Sequence, residues 1–396
     1  MDKGIMVFDE YPKEMIQAWE NVGYQVYVLP MKSEQFNKEE VKRQIVSFTK
    51  KYSQSFFFSY GFSLSLAEIC FESDIRYLCW EPDCPNAGLW NKHAWLDNNY
   101  IFTFDYRQYE QLVMCGMKHV WHLPLATCVE TFEKTICTDQ GKSLKKFGSE
   151  VSFVGNLYND ENHNMYDRIK YLPQYLQGYI DALIAAQRKV WGVDLLSYAL
   201  NDAIVEQLKK YVQFSIGEDY DEQVYEVMYG SMIGQKIAQL ERMELCSYLA
   251  EHYQFSLYTG GDTSFDKKIM NKGYANYLTE MPLIFHYSKI NIHVTMRTIT
   301  SAIPLRVLDV LACEGFLLTN YQPEIAEYFV DGEELVIYQD FTDMYQKITY
   351  YLEHEEERKK IAHAGYLKVK EHFNYRTGIQ QMVLMLGEKN ESNRCV

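Results

Sequence analysis

Residues 298–320 read TITSAIPLRVLDVLACEGFLLTN, and the fold turns on how that stretch is parsed. Thr300 and Ser301 supply side-chain oxygens suited to capping a helix start, and Pro304 has its φ pre-set for a first helical turn. The spacing predicts a helix from about residue 302. Leu305, Leu308, Leu311 and Ala312 fall on one stripe, and Ala302, Arg306, Asp309 and Cys313 on another. Gly315 suits the left-handed conformation that ends a helix, and residues 316–319 are apolar enough for a fully buried parallel strand. A polar loop, a helix and a buried strand in that order form one unit of an α/β fold.

Working outward, the strand signals recur. Short apolar runs lie at 4–9, 24–30, 55–60, 75–80, 100–105 and 119–125, separated by helical patterns such as PKEMIQAWENVG and YRQYEQLVMCG. Strands alternating with helices at this rhythm predict a parallel, doubly wound sheet. Residues 131–148 lose the apolar rhythm and read as a linker. A second series follows at 151–158, 255–261, 290–294, 316–319 and 335–338. Between its first two members, from about 161 to 250, helical periodicity dominates: Leu172, Leu176, Tyr179 and Leu183 share one face, and Ile204, Leu208 and Val212 another. Amphipathic helices close the chain from about 342 to 386. The expected domains are 1–148, 149–370 with a helical insertion at about 161–250, and a final helix in 371–396.

The 396 residues suffice for two cores. With 39 Lys and Arg against 54 Asp and Glu, the net charge is −15, which argues against nucleic acid as a partner. No apolar run is long enough to span a bilayer, and the start MDKGIMVFDE carries no leader-like pattern, so stable membrane insertion is not expected and a cytoplasmic protein is. Nine cysteines without a C-x-x-C pair read as free thiols. The first strand is not followed by G-x-G-x-x-G, so a dinucleotide fingerprint is absent, and no carboxylate or histidine cluster has metal-ligand spacing.

In open parallel sheets, ligands bind beyond the carboxyl ends of the strands. In the second series that rule selects GNLYND, YTGGDT, TMRTITSAIP and NYQPE, which together offer Gly155, Gly260, Gly261, Arg297 and a helix start. Helix N-termini and arginines suit an anionic ligand. Asp309 is placed to accept hydrogen bonds from a ribose, and Arg306, Arg297 or Lys289 to meet phosphate. Read alone, Arg306 and Asp309 are equally what an exposed i, i+3 ion pair of about 0.3–0.5 kcal/mol looks like. In the first series, WEPDCPNAGLWNKHAW (80–95) follows a strand and offers Glu81, Asp83 and His93 as titratable groups, with Asp83 the preferred general base.

These segments carry a resemblance. SFVGNLY, FHYSKINIHVTMR, AIPLRVLDVLACEGFLLTNYQPEIAEYFVDGEELVIY and YYLEHEEERKKIAHAGY, together with FSLSLAEICFESDIRYLCWEPDCPN, IFTFDYRQYEQL and HLPLA, resemble CgeB-type, spore-maturation-protein-like glycosyltransferases. The resemblance implies an α/β GT-B fold: two Rossmann-like domains facing a cleft, with the last helices crossing back. It implies a nucleotide-sugar donor (UDP-, GDP- or dTDP-sugar) in the second domain, an acceptor glycan, protein or small molecule, and no metal or other cofactor. The donor-binding set it implies is Gly155, Asn156, Tyr258, Thr259, Tyr277, Lys289, Arg297, Ser301, Ala302, Ile303, Arg306 and Asp309, and the catalytic candidates are Asp83 and His93. Of the two acids that GT-B enzymes often carry eight residues apart, the second maps to Asp309, whereas Ser301 occupies the place of the first. A catalytically inactive glycan- or nucleotide-binding module and a nucleotide-sugar epimerase are the alternatives.

Overall fold

The computed structural model describes residues 3–30, 37–52, 54–160, 164–169 and 171–392. Each apolar run becomes a strand. β1 (Lys3–Phe8), β2 (Gln25–Leu29), β3 (Gln54–Tyr60), β4 (Arg76–Glu81), β5 (Asn99–Thr103) and β6 (Val120–His122) form one sheet in the order β2-β1-β3-β4-β5-β6, every pairing parallel. β7 (Val151–Val154), β8 (Phe255–Tyr258), β9 (Ile290–His293), β10 (Leu317–Asn320) and β11 (Val336–Tyr338) form a second parallel sheet, ordered β11-β10-β9-β7-β8. Helices cover both faces of such sheets, so their central strands have no polar side. All four residues of β7, β8, β9 and β10 are accordingly buried.

The chain forms two compact units, one of Met1–Cys128, Ile216–Val224 and His372–Val396, the other of Val129–Ser215 and Tyr225–Glu371. In the first, side-chain caps set the helix starts: Asn37 accepts from Glu40 N–H, Ser63 from Leu66 N–H, and Asp105 from the N–H groups of Arg107 and Gln108. The closing helix Tyr375–Ser392 belongs to this unit and packs against the Trp80 side chain at Gly378, where a Cβ would lie 2.5 Å from the ring.

The second unit departs from the sequence reading in four places. Residues 131–148 are not a linker but two helices, Val129–Asp139 and Leu144–Phe147. The first of these buries Val129 and Phe132, too few apolar positions to show a period. In the helical insertion, Tyr179 is 36% exposed and Ile180 takes its place in the core beside Leu176 and Leu183. The helix expected from residue 302 spans Leu305–Ala312, with Pro304 at its N-cap and no side-chain cap. Ser301 instead donates its hydroxyl to Glu324 Oε1 at 2.7 Å. Finally, the left-handed residue after this helix is Glu314 (φ 55°), not Gly315. Gly315 is required by packing: a Cβ would sit 2.7 Å from Phe285 O and 3.0 Å from Val310 O.

Candidate functional site

The second sheet opens at the carboxyl ends of β7 and β8 into a cleft of about 280 Å³. Its floor is backbone. Gly155 N–H donates to Tyr258 O at 3.1 Å and extends the ladder one residue beyond β7. Asn156 Oδ1 accepts from Tyr158 N–H at 2.6 Å, which turns the chain away. After β8, Gly261 N–H donates to Thr259 Oγ1 at 3.1 Å, and the two loops are tied by Asn159 Nδ2 donating to Asp262 O at 2.6 Å. A Cβ on Gly261 would lie 2.7 Å from Asn159 Oδ1, so only glycine lets the loops approach this closely.

Arginines fix the frame. Arg242, from the helix Val224–His252, donates to Asn156 O at 2.6 Å and to Val294 O at 2.7 Å, joining the ends of β7 and β9. These loop carbonyls have no ladder partner, and a guanidinium satisfies two at once. His293, at the end of β9, is buried, and desolvation first, then Arg242 and Arg306, hold its pKa well below the usual imidazole value. It is therefore neutral near pH 7.

Of the expected donor-binding residues, Gly155, Asn156, Tyr258, Thr259 and Arg306 line the cleft. Tyr258 is 5% exposed, its buried hydroxyl has no partner among the described residues, and burial, then Glu280, push its pKa up to about 12. Arg306 supplies the cation. Its side chain is 24% exposed, and Nη1 donates to Asp309 Oδ2 at 3.0 Å and reaches Met281 Sδ at 3.1 Å. The pair is not the solvated helix-surface pair considered from spacing, because the Asp309 side chain is 1% exposed.

The other expected residues lie elsewhere. Asp309 and Tyr277 are not part of the cleft lining; the Tyr277 hydroxyl donates to Asp309 Oδ1 at 2.9 Å. Ser301, Ala302 and Ile303 are buried and also outside the lining, pinned through Gln322 Nε2 to Ile299 O at 2.9 Å and Glu324 N–H to Ser301 O at 3.0 Å. Arg297 is committed to a buried ion pair, Nη2 meeting Glu241 Oε1 at 2.6 Å, and its guanidinium lies 3.2 Å from the Trp191 ring centre. Lys289 is exposed just before β9, at the amino end of the sheet and so on the opposite edge from the cleft. Sequence reasoning missed Tyr274, Ala275 and Met281, and did not single out Asp160 within the selected GNLYND, although all four line the cleft. Residues 274 and 275 return to the site after a long aperiodic loop, which leaves no local signal.

In the first unit, the anion is Glu81, at the end of β4. Fully buried, it accepts from Phe62 N–H at 2.7 Å, Asp83 N–H at 2.8 Å and Asn86 Nδ2 at 2.9 Å. Burial, then Asp83, raise its pKa to about 7 despite these donors. Asp83 is exposed on the loop that Glu81 fixes. His93 is half-buried, with Nδ1 2.9 Å from Asn91 Oδ1, and no hydrogen bond joins it to Asp83. Among the described residues, no group of three or more His, Cys, Asp or Glu is placed to hold a metal ion, and no helix is long and apolar enough to cross a membrane.

Comparison with known proteins gives the fold a family setting. Residues 242–383 match the family model described as glycosyl transferase-like. No curated protein matches the sequence. Among solved structures, Anabaena HepE in complex with UDP and glucose is similar at 8% identity, covering 97% of this chain and 99% of that one, with a TM-score of 0.51. HepE in complex with UDP-glucose gives 9%, 97%, 99% and 0.51. Sucrose-phosphate synthase from Thermosynechococcus elongatus gives 9%, 99%, 100% and 0.51. At such identities the likeness establishes the fold, which is that of the GT-B glycosyltransferases.

Proposed function

We propose that the chain is a cytoplasmic glycosyltransferase of the CgeB type that takes its sugar from a nucleotide-sugar bound in the cleft of the second unit. The observation that carries this reading is Arg306: a guanidinium held by a buried carboxylate at a cleft floored by the glycine loops after β7 and β8. The match of residues 242–383 to glycosyl transferase-like sequences and the UDP and UDP-glucose seen in HepE support it.

Departure of a nucleoside diphosphate builds negative charge on its phosphates. A bidentate guanidinium stabilises that charge. In this proposal Arg306 takes the place a metal ion holds in other transferases, so turnover persists in EDTA. The donor is a UDP-, GDP- or dTDP-sugar, and Tyr274 and Tyr258 bound the space for its base and sugar. Asp83 is the proposed base for an acceptor hydroxyl on a glycan, protein or small molecule, with His93 a further candidate.

Incubation with UDP-, GDP- and dTDP-sugars in EDTA tests the reading. The expected result is nucleotide release with one donor class, lowered by roughly 10²–10⁴-fold in Asp83→Asn while nucleotide affinity stays unchanged. Binding without release, or interconversion of the sugar without transfer, would overturn it.

A further inference from the structure

Asp309 is the carboxylate expected to grip the ribose of a donor, yet its geometry serves another task. Its side chain is 1% exposed and absent from the cleft lining. Each of its oxygens is engaged: Oδ1 accepts the Tyr277 hydroxyl at 2.9 Å and Oδ2 accepts Arg306 Nη1 at 3.0 Å. Tyr277 is braced in turn by Phe132, whose ring meets it edge-on at 5.5 Å and is itself fully buried. On the far side, Arg306 lies with its guanidinium 5.5 Å from the Phe285 ring, and its Nε and Nη2 have no hydrogen-bond partner among the described residues.

We infer that Asp309 and Tyr277 are positioning residues, which hold Arg306 in the cleft for the phosphates of the donor, and that Asp309 does not bind the pentose. The inference rests on the nucleotide-sugar reading of the cleft. A free arginine loses rotamer freedom when it binds an anion. A buried carboxylate one turn along the helix removes that loss in advance, by fixing one Nη and leaving the other edge of the fork for the ligand. Fixing the carboxylate itself requires a second donor, and the Tyr277 hydroxyl supplies it. The chain Phe132, Tyr277, Asp309, Arg306 thus runs from the first helix of the unit to the cleft.

Titration calorimetry separates the two roles for Asp309. Wild type is first tested with UDP, GDP and dTDP. The diphosphate it binds is then compared with its nucleoside and its 2′,3′-dideoxy analogue in Asp309→Asn, Tyr277→Phe, Arg306→Gln and the Asp309→Asn/Arg306→Gln double variant. Loss of a positioned charge-assisted bond is expected to weaken diphosphate affinity about tenfold in Asp309→Asn and about threefold in Tyr277→Phe. The dideoxy diphosphate should lose by the same factors and the nucleoside by less than about twofold. In the Arg306→Gln background, Asp309→Asn should add less than about twofold, because the two residues act as one unit.

A penalty for Asp309→Asn that vanishes with the dideoxy analogue, or that appears equally with the nucleoside, would show direct pentose contact and overturn the inference while leaving the donor site in place. Wild type binding none of the three diphosphates would instead remove the functional reading itself. Thermal melting monitors folding. Should Asp309→Asn not fold, Tyr277→Phe, which deletes a single hydroxyl, carries the same comparison.

Discussion

The carboxyl ends of the two parallel sheets are built alike and charged oppositely. Where β4 ends, the organising group is an anion, Glu81, which gathers the N–H groups of Phe62 and Asp83 and the side-chain amide of Asn86. Where β7 and β9 end, it is a cation, Arg242, which gathers the carbonyls of Asn156 and Val294, while Arg297 takes that of Val190. The same problem, loop backbone left without a ladder partner, is solved from the acceptor side in one unit and from the donor side in the other. The difference matters for function. A carboxylate corner repels phosphate, whereas a guanidinium corner attracts it.

The largest test of this contrast removes the counter-ion from the cationic corner. Glu241 sits at 1% side-chain exposure against Arg297, so Glu241→Ala leaves a buried guanidinium without its partner. Breaking a buried pair from one side costs about 3–5 kcal/mol. A matching fall in the urea midpoint of the second unit is the expected outcome. A loss below about 1 kcal/mol would show that water or other groups already share the charge, and that the corner is less dry than its burial implies.

The anionic corner is tested by pH. The Glu81 pKa of about 7 stands above its ordinary value of 4.5. The folded state therefore holds this proton more tightly than the unfolded chain, and stability associated with it is present in full below about pH 4.5 and declines as pH rises to about 7. The gap corresponds to about 3 kcal/mol across that window. Glu81→Gln, which cannot ionise, should flatten the slope of stability against pH between these limits. An unchanged slope would assign the pH dependence to other groups.

How much of this was legible in the sequence follows the range of each interaction. Among the described residues, strands such as β1, β4 and β7–β10 show because a strand buried on both faces writes its burial as one unbroken apolar run, while the edge strands β2 and β6 are only partly buried. Seven of the cleft residues, Gly155, Asn156, Tyr258, Thr259, Gly260, Gly261 and Arg306, were found because they follow strand ends or start a helix, which are local signals. Arg297 was misplaced because its partner, Glu241, lies 56 residues away. No spacing rule reaches that far. Lys289 was misplaced for a simpler reason: a residue just before a strand lies at the amino edge of a parallel sheet, whatever its charge. The helix Val129–Asp139 went unread although its Phe132 braces Tyr277, because two buried positions do not make a period.

Two helix-to-strand junctions show the same limit at single-residue scale and yield the smallest expected effects. After the helix Tyr106–Met114, Gly116 has φ 94° and nothing lies near its Cβ position, so its requirement is purely conformational. After the helix Leu305–Ala312, the left-handed residue is Glu314, and the glycine beside it is needed because carbonyl oxygens of Phe285 and Val310 leave no room. The sequence cue, a glycine closing a helix before a strand, is identical in both. Gly315→Ala should therefore cost about 1–3 kcal/mol through overpacking, and Gly116→Ala about 1–2 kcal/mol through backbone strain. Glu314→Gly separates the causes: it relieves the left-handed residue and should be neutral or stabilising by up to about 1 kcal/mol. Its exposed contact with His363 contributes little enough not to reverse the sign. Chemical denaturation of the three variants checks the order. A destabilised Glu314→Gly, or a Gly315→Ala indistinguishable from wild type, would return the second junction to the same conformational rule as the first.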